Sequence, residues 1–288
     1  MDILITGLLL GGTYALIAMG LNLQYGMSRI MNLANGEMLV AGGFAAFWFW
    51  GAGQVSPLLT IFLVAPVSFA LNWLIYAIIL APLVRRAKSR GQLEVDAILT
   101  TFGLSFVAVG LMLAAFGGDY FSYSHLARPV TFLGENYGLN RVAAFLAAAV
   151  ICGLLYLWLE RSRAGMSIRA IAVSPESARL VGINVARLAA LAFALGGAVT
   201  ATGGALISMF LTLDASTGVT FTLKALVIVI MGGVGDVRGT IVAALLLGVL
   251  ETFVARVIDP GLTLAAAYIL FLVILLFRPQ GLFGRRAT

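Results

Sequence analysis

Nine apolar runs follow one another along this chain, and no soluble fold could hide them all. They span residues 3–25, 38–50, 58–80, 97–116, 142–159, 188–210, 221–231, 240–254 and 262–277. A helix that crosses a bilayer needs about 20 mostly apolar residues, and most of these runs approach that length. The second and seventh fall short. Each abuts a polar, glycine-containing stretch, "NLANGE" or "GGVGDVRG", so broken or re-entrant helices are expected there. The expected fold is therefore all-α and integral to the membrane: a polytopic bundle of about eight to nine segments, two of them broken or re-entrant. A single transmembrane domain covering 1–288 is expected, because no linker or second soluble unit is visible.

Composition agrees. Only 10% of the 288 residues are charged, 61% are hydrophobic, and mean hydropathy is +1.06. A soluble domain carries roughly 25% charged residues, so an ordinary water-facing surface cannot be built. Cys152 is the only cysteine and His125 the only histidine, which excludes an intrachain disulfide, a CxxC pair and a thiolate metal site. The N-terminal "MDILITGLLL" begins acidic and enters an apolar run at once, so no cleavable signal peptide is expected. Net charge is +6, but the basic residues flank the runs. They read as orientation signals, and nucleic acid is not an expected partner.

Lysine and arginine set the expected sidedness. One side collects Arg85, Arg86, Lys88, Arg90, Arg161, Arg163, Arg169, Arg179, Arg187, Arg278, Arg285 and Arg286; the other holds Arg128, Arg141 and Arg256. The first side is read as cytoplasmic, with the N-terminus outside and the C-terminus inside. The outer loop "GDYFSYSHLARPVTFLGENYGLN" then suits a small hairpin or an interfacial segment. A weak internal echo joins "GMSRIMNLANGEMLVAGGFAAF" to "GGVGDVRGTIVAALLLGVLETF". An internal repeat would account for it, as would chance in a chain with 33 glycines.

One short polar stretch, "AIAVSPESARLVGIN", lies between two apolar runs on the basic side. Ser174 suits an N-cap, Pro175 the first helical position, and Glu176 the positive end of the helix dipole. Arg179 falls near the last turn, and Gly182 is placed to end the helix in a left-handed conformation. A helix of about two turns is expected, too short to be stable alone. It must lean on its own protein, on headgroups or on a partner.

These residues carry a resemblance. "Glu176-Ser177-Ala178-Arg179-Leu180-Val181-Gly182" is similar to the E-A-A-x-x-x-G core of ABC importer permeases, without the longer motif's I-x-L-P ending. "MNLANGEMLVAGGFAA" (31–46) resembles the N-[FL]-A-H-G segment of LivH-type permeases from branched-chain amino acid importers. "LKALVIVIMGGVGDVRGTIVAALLLGVLE" (223–251) and "LLFRPQGLFGR" (275–285) resemble that family's glycine-rich segment and its R-P-x-G tail. The resemblance implies the permease subunit of an ATP-driven importer, moving branched-chain or similar small amino acids from periplasm to cytoplasm across the bacterial inner membrane. It implies that this subunit is not itself an enzyme and binds no cofactor, with ATP and Mg used by partner ATPases. The implied partners are a second related permease in a heterodimer, two ABC ATPase subunits and a periplasmic solute-binding protein, with membrane lipid around them. Ser174, Pro175, Glu176, Ser177, Ala178, Arg179 and Gly182 would dock on the ATPase. Asn35 departs from the family's usual histidine; asparagine keeps hydrogen bonding but cannot titrate near neutral pH.

"GGVGDVRG" lacks the G-K-[ST] of a phosphate loop and the preceding strand of a dinucleotide fold. Gly232, Gly233, Gly235 and Gly239 read instead as a helix break with close contacts, where Asp236 and Arg238 pair with each other or with neighbours. Polar residues within spans are costly and therefore mark candidate pathway or gate positions. Those singled out are Asn22, Asn32, Asn35, Glu37, Thr100 and Thr101. Lys224 opens its run and is read as snorkelling, and Glu251 is read as reaching the outer interface. Two alternatives stay open: a related permease for urea, short amides or other small solutes, and a self-sufficient secondary carrier or channel.

Overall fold

The computed structural model describes residues 2–28, 30–132 and 134–284. Arg285 and Arg286, counted above on the basic side, lie outside the described residues. In chain order the helices are α1 (Asp2–Ser28), α2 (Asn35–Gly53), α3 (Pro57–Ile75), α4 (Ala81–Arg86), α5 (Arg90–Phe116), α6 (Leu139–Arg161), α7 (Arg163–Val173) and α8 (Pro175–Leu180). Then come α9 (Val185–Ile207), α10 (Thr217–Gly232), α11 (Val237–Val257) and α12 (Thr263–Phe277). A π turn at Tyr76–Leu80 joins α3 to α4 without a break, so Pro57–Arg86 is one long helix. Seven helical segments among the described residues are long and apolar enough to cross a membrane. The expected all-α, multi-pass fold is found. The two short runs become α2 and α10, and α10 has only 16 residues, or about 24 Å at 1.5 Å per residue.

α1 and α9 are the deeply buried centre, packed on each other, while α12 lies almost wholly exposed at the edge. Without a hydrophobic driving force between helices in lipid, close backbone approach and polar contacts hold such a bundle. Both are present. α1 packs along α11 at Gly7 and Gly11; a Cβ on Gly248 would fall on the Gly7 carbonyl and the Gly11 nitrogen. On α3, Ser68 donates to the Gly197 carbonyl of α9 at 3.1 Å, and Asn72 fills the space that a side chain at Gly197 would take. Gly7, Gly11, Gly197 and Gly248 thus serve packing within this chain.

The segment between α5 and α6 forms an antiparallel hairpin, β1 (Pro129–Phe132) with β2 (Glu135–Gly138). Upstream of it, Phe121 bridges to Leu213 between α9 and α10, and the Tyr123 hydroxyl lies 2.8 Å from Ser208 Oγ. Burial pushes the Tyr123 phenol up to about 12 and the His125 imidazole down from its usual range. Arg128 and Arg141 sit at this same end, and the α8 end lies opposite.

Lys224 departs from its expected snorkelling. Its Nζ donates to Glu251 Oε2 at 2.9 Å and to the Tyr14 hydroxyl at 2.9 Å, and Tyr14 itself donates to that carboxylate at 2.8 Å. A charge buried inside a bundle must find a counter-charge, and breaking such a pair costs about 3–5 kcal/mol. This bond ties α10, α11 and α1 together.

Candidate functional site

Two regions gather the singled-out residues. The first is α8, whose start is set by its own sequence. Ser174 Oγ accepts from Ser177 N at 3.2 Å, Pro175 needs no amide partner, and Gly182 closes the helix at φ +80°. The Gly182 and Ile183 amides donate back to the Arg179 and Ala178 carbonyls at 3.0 and 3.1 Å. α7 supplies the ledge beneath. Ser162 caps it through Gly165 N at 2.9 Å, and Ile168 and Ile171 turn inward. Only Ala178 of α8 is buried. Glu176, Ser177, Arg179, Leu180, Val181 and Gly182 face outward, with Leu180 88% and Val181 75% exposed. Leu180 and Val181 thus form a bare aliphatic pair beside Glu176 and Arg179.

The second region is the break between α1 and α2. α2 starts deep inside the bundle, because Asn35 Oδ1 accepts from Thr200, well along α9, at 2.9 Å. Its N-cap position is Ala34, with no side-chain cap. Neighbouring helices satisfy this start instead. Thr222 of α10 accepts from Gly36 N at 2.8 Å, and Thr101 of α5 accepts from Leu33 N at 3.1 Å. Asn32 Oδ1 takes the Ala34 amide at 3.0 Å, while its Nδ2 donates to Gln24 at 2.9 Å. Ser105 donates to Glu37 Oε1 at 3.0 Å. A Cβ on Gly36 would fall on the Gly218 carbonyl, and one on Gly218 would fall on the Glu37 carboxyl. The first turns of α2 and α10 therefore meet face to face. Asn35 Nδ2 and Glu37 Oε2, both buried, have no hydrogen-bond partner among the described residues. Two buried polar atoms left open in one helical turn are unusual, since buried polar groups are nearly always paired.

Asn22 belongs elsewhere. Its Nδ2 donates to Thr240 Oγ1 at 2.8 Å and the Asp236 carbonyl at 3.1 Å, and its Oδ1 accepts from Gly235 N at 2.7 Å. It thereby clamps the second break, between α10 and α11. Gly233 and Gly235 turn there at φ +105° and +86°, and Gly239 lies against Gly232. Asp236 caps α11 through Gly239 N at 2.8 Å instead of pairing with Arg238, which bonds Glu160 at 2.9 Å. The amides of Leu282 and Phe283 reach the Met231 and Gly232 carbonyls at 2.7 and 3.2 Å, so the R-P-x-G tail seals this loop. Thr101 also bonds its own helix at the Ala97 carbonyl, 2.8 Å away, whereas Thr100 is half-buried with no side-chain bond among the described residues. Gln24, Ser105, Thr200 and Thr222 complete the cluster. Helical spacing alone does not place these four against α2.

Comparison with known proteins follows the same lines. Residues 3–278 match the family model described as "Branched-chain amino acid transport system / permease component". The chain is 30% identical to the high-affinity branched-chain amino acid transport system permease protein BraD of Pseudomonas aeruginosa, covering 98% of this chain and 95% of that one. It is 26% identical to LivH, the permease protein of the same name in Escherichia coli K12, covering 97% and 94%. A ribose import permease protein of Haemophilus influenzae, RbsC, is 27% identical over 78% of this chain and 71% of its own. The match runs from the first span through the last, and it includes both helix breaks and α8. This chain belongs to the permease-component family of branched-chain amino acid transport systems.

Proposed function

We propose that this chain, acting as one permease domain over 1–288, carries branched-chain amino acids inward across a bacterial cytoplasmic membrane within an ATP-driven importer. The single observation that carries the reading is the family match over residues 3–278, and the exposed α8 surface supports it. The chain contains no phosphate-binding loop, so the work is done by two ATPase subunits, one of them docked on α8, from Ser174 to Gly182. A second, related permease completes the membrane unit, and a periplasmic binding protein delivers the solute. The distribution of Lys and Arg supports an external N-terminus and a cytoplasmic C-terminus.

In this reading, closure of the ATPase pair moves α8. The ledge of α7 passes the motion to α6 and α9, against which α7 packs. α9 carries Thr200, so the open polar atoms of Asn35 and Glu37 sit where a shift of α9 against α2 is felt first. These residues, with Asn32 and Thr101, form the gate element; Asn22 and the glycines of the second break hold the fixed side.

Reconstitution tests the proposal. Proteoliposomes holding both permeases and the ATPases, supplied with binding protein and L-leucine, are expected to accumulate leucine only when ATP is enclosed on the ATPase side. Accumulation by this chain alone, without ATPases, would show a self-sufficient carrier instead. A binding protein that purifies with urea or an amide would move the substrate to that class.

A further inference from the structure

At the end of the bundle opposite α8, a cavity of about 370 Å³ opens between the ends of α1, α6, α9, α11 and α12. One wall is apolar, made by Leu9, Leu10, Phe210 and Leu211. The floor is Glu251, only 4% exposed, whose Oε2 holds Lys224 and Tyr14 while Oε1 has no partner among the described residues. The rim carries Arg141 and Arg256. Arg256 is paired with Asp2, but Arg141 faces no carboxylate among the described residues and rests over the Phe210 ring, 5.8 Å from its centroid. The cavity thus has an unpartnered acceptor just beneath its floor, which a small turn of the Glu251 side chain brings to the surface, an open cation at the mouth and an aliphatic wall between them.

From this arrangement we infer a binding subsite for a free α-amino acid with an apolar side chain. Its ammonium group donates to Glu251 Oε1, its carboxylate meets the Arg141 guanidinium, and its side chain lies on the leucines. Charges then alternate in sequence: Lys224, Glu251, ligand ammonium, ligand carboxylate, Arg141. Such alternation offsets the desolvation that a lone charge would suffer, and each charged contact is a charge-assisted hydrogen bond. A phospholipid fits poorly. Glu251 lies about 9 Å inward of Val257, the last residue of α11, so the acceptor sits deeper than the cation, whereas a lipid headgroup carries its donors outward of the phosphate. The inference rests on the proposed function for its ligand class and for placing this end outside. It deepens that function by assigning a receiving site before the gate.

Photo-leucine, the diazirine analogue of leucine, tests it on the assembled transporter in proteoliposomes, with peptides mapped by mass spectrometry. Labelling is expected on peptides containing Leu9 and Leu10 or Phe210 and Leu211. L-leucine should compete; 4-methylpentanoate, lacking the ammonium, and leucinamide, lacking the carboxylate, should not. Arg141→Ala, an exposed change that leaves no buried charge unpaired, should lower labelling about tenfold, the worth of one charge-assisted contact. Arg128→Ala, an arginine of the same end outside the cavity, should leave it unchanged. Labelling confined to other peptides, equal competition by all three compounds, or equal loss in the two arginine variants would overturn the subsite. Leucine uptake on the same vesicles separates the two ideas. Uptake without labelling here removes the subsite and leaves the proposed function, whereas absence of uptake for every branched-chain amino acid removes the function.

Discussion

α8 and α2 begin with the same chemistry and reach opposite ends. Each has a small polar residue at or before its start and a glutamate in the first turn, Glu176 in one and Glu37 in the other. α8 is held by contacts within ten residues: the Ser174 cap, Pro175 and the left-handed Gly182. It turns its side chains outward. α2 has no cap of its own and is held by α1, α5, α9 and α10 through bonds that span up to 186 residues. Little inside depends on the first helix, as the handle proposed above requires. The second cannot move without changing its neighbours, which suits a gate.

The largest effect expected from this contrast is at Gly36. In Gly36→Val the new side chain meets the Gly218 carbonyl, part of a buried helix backbone that cannot step aside. Overpacking there costs about 3 kcal/mol or more, and the purified variant should aggregate on size exclusion. A monodisperse Gly36→Val protein would mean that the two helix starts are not in contact. Gly182→Val should behave differently. Nothing lies within 4 Å of its Cβ, so the change strains only the left-handed turn, by about 1–2 kcal/mol. The variant should insert and fold, yet lose about tenfold in ATPase co-purification and in leucine uptake. Normal association would take the docking role away from α8.

The two glutamates allow a matched pair of smaller changes. Glu37→Gln keeps volume and the Ser105 bond but sets amide donors against Gly218, in the first turn of α10, where amide donors already lack partners. A loss of about 1–2 kcal/mol is expected by thermal unfolding, with reduced uptake. Glu176→Gln, on an exposed turn, should stay within about 0.5 kcal/mol of the parent. Equal effects would erase the distinction between handle and gate.

The same contrast explains what could be read from the sequence. Caps, Pro at the first position and a terminal glycine are local signals, so the position and length of α8 were legible within a residue. Spans were legible because apolar length is set by the bilayer, and both breaks were marked by glycine beside polar residues. Side-chain partners across helices were not. Lys224 looked like a snorkelling residue because Glu251 is 27 residues away and Tyr14 is 210 residues away. Asn22 is singled out from the sequence with Asn32, Asn35 and Glu37, yet it turns to Asp236 and Thr240 at the start of another helix. Helical periodicity gives a face, and only the tertiary fold says what that face meets.

The smallest expected effect is at the cap of α8, and it probes the claim of local control most directly. Ser174→Ala removes the oxygen that takes the Ser177 amide and should cost about 1 kcal/mol. Because α8 is exposed and short, that cost falls on the opening of one turn and leaves global unfolding untouched. Hydrogen exchange at residue 177 should quicken by about fivefold, with an unchanged melting temperature, and Ser174→Asp should restore protection because aspartate caps equally well. If α8 were instead clamped by the body of the protein, as α2 is, the loss of one cap bond would leave exchange unmoved. The handle would then have to be sought in α7, where Ile168 and Ile171 anchor a helix that the rest of the bundle holds in place.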